Sequence, residues 1–116
     1  MNLNYITRSH FIFNDFLRIP RLLFDSPMFS ELSNDAKLLY TVLLDRASLS
    51  ADNGWVDRRG CVYIHYGIIH IQRTLGCSKS KALRLLDSLE SVGLIERKRQ
   101  GQGKPNMIYV RLIADA

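Results

Sequence analysis

Residues 68–93 read IIHIQRTLGCSKSKALRLLDSLESVG, and the break in the middle of that run decides the fold. Before it, Ile68, Ile69, Ile71 and Leu75 recur at helical spacing and predict a short helix. Gly76 follows in the first position past the helix end, where a left-handed backbone is cheap only for glycine. Ser78 then offers a hydroxyl to cap a new helix. That helix is predicted from Lys79 to about Val92, with Ala82, Leu85, Leu86, Leu89 and Val92 as its buried stripe and Gly93 as its stop. Two helices joined by so tight a turn make a helix-turn-helix, with the second in the recognition position.

Downstream, Leu94 to Gln100 and Asn106 to Leu112 read as two strands joined by Gly101-Gln102-Gly103-Lys104-Pro105, a hairpin with glycines where positive φ is needed. A hairpin in this place makes the motif a winged one. Upstream, Cys61 to Tyr66 is β-branched and aromatic and predicts a strand. Ser33 caps a first long helix, with Asp35 in its first turn and Leu39, Val42, Leu43 and Ala47 on its buried face, ending near Leu49. Ser26-Pro27 starts a short helical turn. The fold class expected is mainly α with a small β-sheet (α+β), a winged helix-turn-helix over residues 26–113. Residues 1–25 are expected to form an extended N-terminal arm with strand-like stretches.

The net charge of +5 is unevenly placed. Residues 1–72 hold seven basic and seven acidic side chains, whereas residues 73–116 hold nine basic and four acidic, so the whole excess lies in the last third. Such asymmetry points to a polyanion. Helical periodicity turns Ser80, Lys81, Arg84, Asp87, Ser88 and Ser91 away from the apolar stripe, and the N-terminal half of that face carries no acid. A recognition helix enters the major groove N-terminus first, so Ser78, Lys79, Ser80, Lys81 and Arg84 are the candidate DNA contacts there. Arg97, Lys98, Arg99, Gln102 and Lys104 are the candidates on the wing, positioned to track the phosphate backbone or probe the minor groove. A solvated surface charge is the alternative for each taken singly. Tyr5, Phe11, Phe13 and Phe16 on the arm either cover the protomer's own core or meet a second copy, and they are the candidate dimer contacts.

Other classes find little support. Cys61 and Cys77 are too few for a disulfide framework or a four-ligand zinc site, so two buried or half-buried thiols and no metal are expected. Gly101-x-Gly103-Lys104 lacks the spacer and the hydroxyl residue of a phosphate loop, and no nucleophile–base pair can be placed on adjacent elements, so neither catalysis nor a cofactor is expected. The densest apolar run, Leu38 to Leu44, is far short of the roughly 20 residues of a membrane span, and no secretory signal is visible, so a cytoplasmic location without membrane contact is expected.

Several blocks also carry a family resemblance: Leu32-Ser33-Asn34-Asp35-Ala36-Lys37-Leu38, Asn53-Gly54-Trp55-Val56 within the Asp52–Asp57 loop, Leu75-Gly76-Cys77-Ser78-Lys79, and Gly93-Leu94-Ile95-Glu96 through Lys104-Pro105-Asn106. In this order they resemble the N-terminal domain of the RepA-type plasmid replication initiators of Gram-positive bacteria, over about Ile19 to Val110. The resemblance implies a winged helix akin to that of DnaD-like primosomal proteins, sequence-specific binding of duplex DNA at repeated origin sites, and a homodimer. It also implies a separate C-terminal domain, absent here, that recruits replisome proteins. A winged-helix transcriptional regulator and a winged helix used only for protein contacts are the alternatives.

Overall fold

The computed structural model describes residues 3–8, 16–99, 101, 103 and 107–113. Its elements in chain order are α1 (Leu22–Asp25), a 3-10 turn (Pro27–Phe29), α2 (Asn34–Asp52), β1 (Tyr63–His65), α3 (Ile68–Leu75), α4 (Lys79–Ser91), β2 (Ile95–Lys98) and β3 (Met107–Val110). The three strands form one antiparallel sheet in the order β1-β3-β2. Tyr63 stands opposite Tyr109, and Glu96 lies opposite Tyr109 on its other side.

The local signals act as their chemistry requires. The Ser33 hydroxyl accepts from the Ala36 amide at 3.1 Å and the Ser78 hydroxyl from the Lys81 amide at 3.1 Å, so each serine satisfies one of the orphan amides that open α2 and α4. Ser26 does the same for Met28 at 3.3 Å, with Pro27 in the first turn. Gly76 closes α3 at φ 61°, a left-handed conformation that any side chain would strain. In the wing, Gly101 and Gly103 both have positive φ.

Burial in α2 is broader than the predicted stripe. Ala36, Lys37 and every residue from Leu39 to Leu43 are buried, because the helix packs against α4, β1 and β3 at once. Lys37 is accommodated with its ammonium 4.6 Å from the centre of the Phe24 ring. Tyr40, wholly buried, donates to the Arg111 carbonyl at 2.6 Å and ties α2 to the end of the wing, and burial pushes its phenol pKa up. The core is completed by Ile71, Leu85, Leu86, Leu89, Ile64, Ile95 and Ile108.

Several boundaries differ from expectation. Helix α2 continues to Asp52, since Ser50 is buried against the core and Asn53 donates back to Leu49. All three strands are shorter than predicted: β1 keeps only the three residues that β3 can pair, while Tyr66 turns inward to bond Thr74 at 2.9 Å. Cys61 is exposed rather than buried, and Cys77 is half-buried. Residues 3–7 and 16–20 contain no strand, so the strand-like stretches of the arm are not formed in its described part. Leu23 is fully buried, so the compact fold begins at α1, a few residues before the expected boundary at 26. Among the described residues no helix is long and apolar enough to cross a membrane.

Candidate nucleic-acid interface

Helix α4 packs its Ala82, Leu85, Leu86 and Leu89 stripe into the core, which leaves Ser78, Lys79, Ser80 and Arg84 exposed and Lys81 half-exposed around its N-terminal end. Among the described residues no ion pair engages the Lys79 ammonium or the Arg84 guanidinium. Lys81 is ion-paired with Asp35 in the first turn of α2. Both groups are about half-exposed, so water and salt weaken the pair, and a phosphate can compete for the ammonium. Ser78 has its hydroxyl engaged in capping, as described above. Asp35 had been read from the sequence only as a favourable charge at the start of α2; its contact with α4 depends on a helix packing that the spacing did not reveal.

On the wing, Lys98 and Arg99 are exposed. Gln102 and Lys104 lie outside the described residues. Arg97 is placed differently from the expectation of a free wing cation. Its Nε donates to Glu90 Oε1 and its Nη2 to Asp87 Oδ1, both at 2.6 Å. The cause is strand alternation: Ile95 and Arg97 point to the α4 side of the sheet, Glu96 and Lys98 to the other. Burial lowers the pKa of Arg97, but its hydrogen bonds to Glu90 and Asp87 outweigh it and the net shift is upward. Arg97 therefore clasps the base of the wing to the second half of α4. The period-two pattern of β2, set against Asp87 and Glu90 three residues apart on α4, was the signal that could have found this.

A second feature escaped the sequence reading. The Asp57–Gly60 turn folds so that Asp57 accepts from the backbone amides of Cys61 and Arg59, from the Arg59 guanidinium and from the Tyr109 hydroxyl. The Cys61 amide first, and then the Arg59 and Tyr109 side chains, hold its carboxyl down at about 2 against the opposing effect of burial. The outer face of the sheet thus carries Tyr109 with Arg59 and Lys98 above its ring, at 5.8 and 5.4 Å. The arm is exposed where it is described: Tyr5 is 95% and Phe16 66% accessible. Phe11 and Phe13 lie outside the described residues.

A helix-turn-helix with a two-stranded wing, and a solvent-facing cationic helix face beside it, define the class: a winged helix-turn-helix domain of the DNA-binding type. The chain belongs to the family described as "Replication initiator protein A (RepA) N-terminus", which it matches over residues 15–115. It is 31% identical over 101 residues to the "41 kDa protein" of Lactobacillus helveticus, a match that covers 82% of this chain and 29% of the relative. The chain thus spans under a third of the length of that curated relative. Among solved structures it resembles one described as "N-Terminal domain of DNA binding protein", with a TM-score of 0.79 and 34% identity, covering 99% of this chain and 88% of the other. It resembles "Structure of Rep-DNA complex" equally closely, with a TM-score of 0.79, 34% identity and coverage of 97% and 87%. A third, "Structure of MDR initiator", matches with a TM-score of 0.77 and 32% identity over 97% of this chain and 89% of the other.

Proposed function

We propose that this domain binds duplex DNA at repeated sites of a plasmid origin and so begins plasmid replication. The observation that carries the reading is the acid-free N-terminal face of α4, where Lys79, Lys81 and Arg84 stand on the solvent side of a helix anchored by its leucines. In this arrangement the first turns of α4 lie in the major groove, where Lys79, Lys81 and Arg84 reach base edges and the adjoining phosphates. Lys81 exchanges Asp35 for DNA on binding. Lys98 and Arg99 neutralise backbone phosphates beside the groove, and Arg97 sets the angle of the wing instead of touching DNA. The test is a fluorescence-anisotropy titration with duplex from the origin of the encoding plasmid. Replacing Lys79, Lys81 and Arg84 together by alanine is expected to abolish discrimination from random duplex, each lost base-reading pair being worth about 1–3 kcal/mol. Retained discrimination would refute the assignment.

The domain acts as a homodimer in this reading. Tyr5, Ile6 and Phe16 are exposed upstream of a core that is complete without them, and each such side chain gains roughly 1.5–3 kcal/mol on full burial. A two-fold pair would also present two α4 helices to repeated DNA sites. Recruitment of replisome proteins belongs to a domain outside this chain, and the whole initiator works in the cytoplasm.

A further inference from the structure

The face of the sheet turned away from α4 carries a row of rings. Trp55 meets His65 edge to face at 5.7 Å, His65 meets Tyr63 at 5.5 Å, and Tyr63 meets Tyr109 at 6.2 Å. Two cations, Arg59 and Lys98, stand over Tyr109 at its far end. At the near end the row opens into a groove of about 190 Å³ between the last turns of α2 and the edge of β1. Arg46, Asn53, Trp55, His65, Tyr66 and His70 are among its walls. Arg46 lies 5.4 Å from the Tyr66 ring centre, and His70 stacks on the same ring with centroids 5.3 Å apart. His65 Nδ1, buried at the wall of this groove, has no hydrogen-bond partner among the described residues. A buried imidazole nitrogen of that kind normally has a partner.

We propose that this groove and ring row form a second nucleic-acid site, one that takes single-stranded DNA. The row sets partly exposed rings between cations at its two ends, Arg46 at one and Arg59 with Lys98 at the other, and the matching ligand is a polymer that carries both aromatic groups and negative charge. In a duplex the bases are stacked on each other, so only unpaired bases can offer their faces to Trp55, Tyr63 and the exposed His70 ring. Asn53 and His65 Nδ1 supply the donor and acceptor groups a base edge needs in the groove, and Arg46 faces the phosphates. Two acids of this face are engaged, Asp57 by Arg59 and Tyr109 and Glu96 by Arg111. Addition of a strand from a second copy is disfavoured, because the 55–56 segment already covers the edge of β1 through the Val56–Val62 bridge and the Tyr63 amide bonded to Trp55. Lys79, Lys81 and Arg84 project from α4, which packs on the opposite side of the sheet. Lys98, which stands over Tyr109, is the one residue this site shares with the duplex reading. An initiator with both sites could hold duplex on one side and a strand released by origin opening on the other.

Trp55 is the single tryptophan of the chain, so its emission reports on the site directly. Titration of the intact chain with a twenty-residue oligothymidylate should quench that emission saturably. Arg46→Ala and Trp55→Ala should each weaken oligothymidylate binding, followed by anisotropy of a labelled oligonucleotide, the second about tenfold as expected for one stacked base. Both should bind duplex within twofold of wild type. Lys79→Ala with Arg84→Ala should show the reverse, weaker for duplex and unchanged for oligothymidylate. Arg46→Ala, at an exposed position, keeps the test valid should Trp55→Ala fail to fold. Three results would overturn the proposal: no saturable quench, oligothymidylate binding lost with the α4 lysine and arginine instead of with Arg46 and Trp55, or a Trp55→Ala protein that changes only its sedimentation mass.

Discussion

Replacing Arg97 by alanine tests whether the wing is fixed by the clasp or by its hairpin alone. Arg97 is 21% exposed at the side chain, Glu90 39% and Asp87 68%. The Asp87 contact is close to a surface pair, and after solvent screening it contributes about 0.5 kcal/mol. The Glu90 contact is charge-assisted and better shielded, worth about 1 kcal/mol in this half-exposed setting. Loss of the packed arginine stem adds about 0.5 kcal/mol, for a total near 2 kcal/mol. For a domain of this size about 4 °C follows each kcal/mol, so the melting midpoint without DNA should fall by about 8 °C, and by less at high salt. The companion measurement is duplex affinity across a salt series. Affinity should drop because the wing is no longer held at its angle, yet the slope of log K against log salt should stay put, since Arg97 touches no phosphate. Partial recovery of the midpoint in the double reversal Arg97→Glu with Glu90→Arg would support the clasp. A midpoint within about 2 °C of wild type would refute the clasp, and a slope reduced by about 0.9 would mean that Arg97 reaches the DNA backbone after all.

Other expectations are simpler to state. Ser78→Ala should destabilise the free domain by about 1 kcal/mol through the lost cap on α4, and an unmoved thermal midpoint would assign the hydroxyl to DNA instead. Lys98→Ala with Arg99→Ala should flatten the salt slope by up to about 2 per protomer, whereas weaker binding at constant slope would make these residues shapers of the hairpin. Asp57 is ionised in the fold down to about 2, below its ordinary value, so its contribution is complete above roughly pH 4 and is lost as pH falls through the folded value. Asp57→Asn should therefore flatten the acid limb of urea stability between about pH 4 and pH 2, and an unchanged limb would place the acid sensitivity elsewhere. Deleting residues 1–18 should turn a dimer into a folded monomer by analytical ultracentrifugation, and a truncated chain that still sediments as a dimer would remove the arm from the interface.

Much of this protein is written locally. The Ser33 and Ser78 caps, the left-handed Gly76, the leucine stripe of α4 and the glycines of the wing act within a few residues, through backbone geometry and helical period. Sequence therefore determines the helix-turn-helix and the cationic face of α4 that rides on it. The roles of individual charges were decided elsewhere. Arg97, Lys98 and Arg99 are chemically alike and adjacent in the chain, yet strand alternation and the approach of α4 send Arg97 inward to Asp87 and Glu90 and leave the next two in solvent. Asp35 meets Lys81 across 46 positions, and Asp57 meets Tyr109 across 52. No periodicity encodes such pairs, because a side chain's partner depends on which elements pack together, and that is set by the burial of the whole apolar core at once.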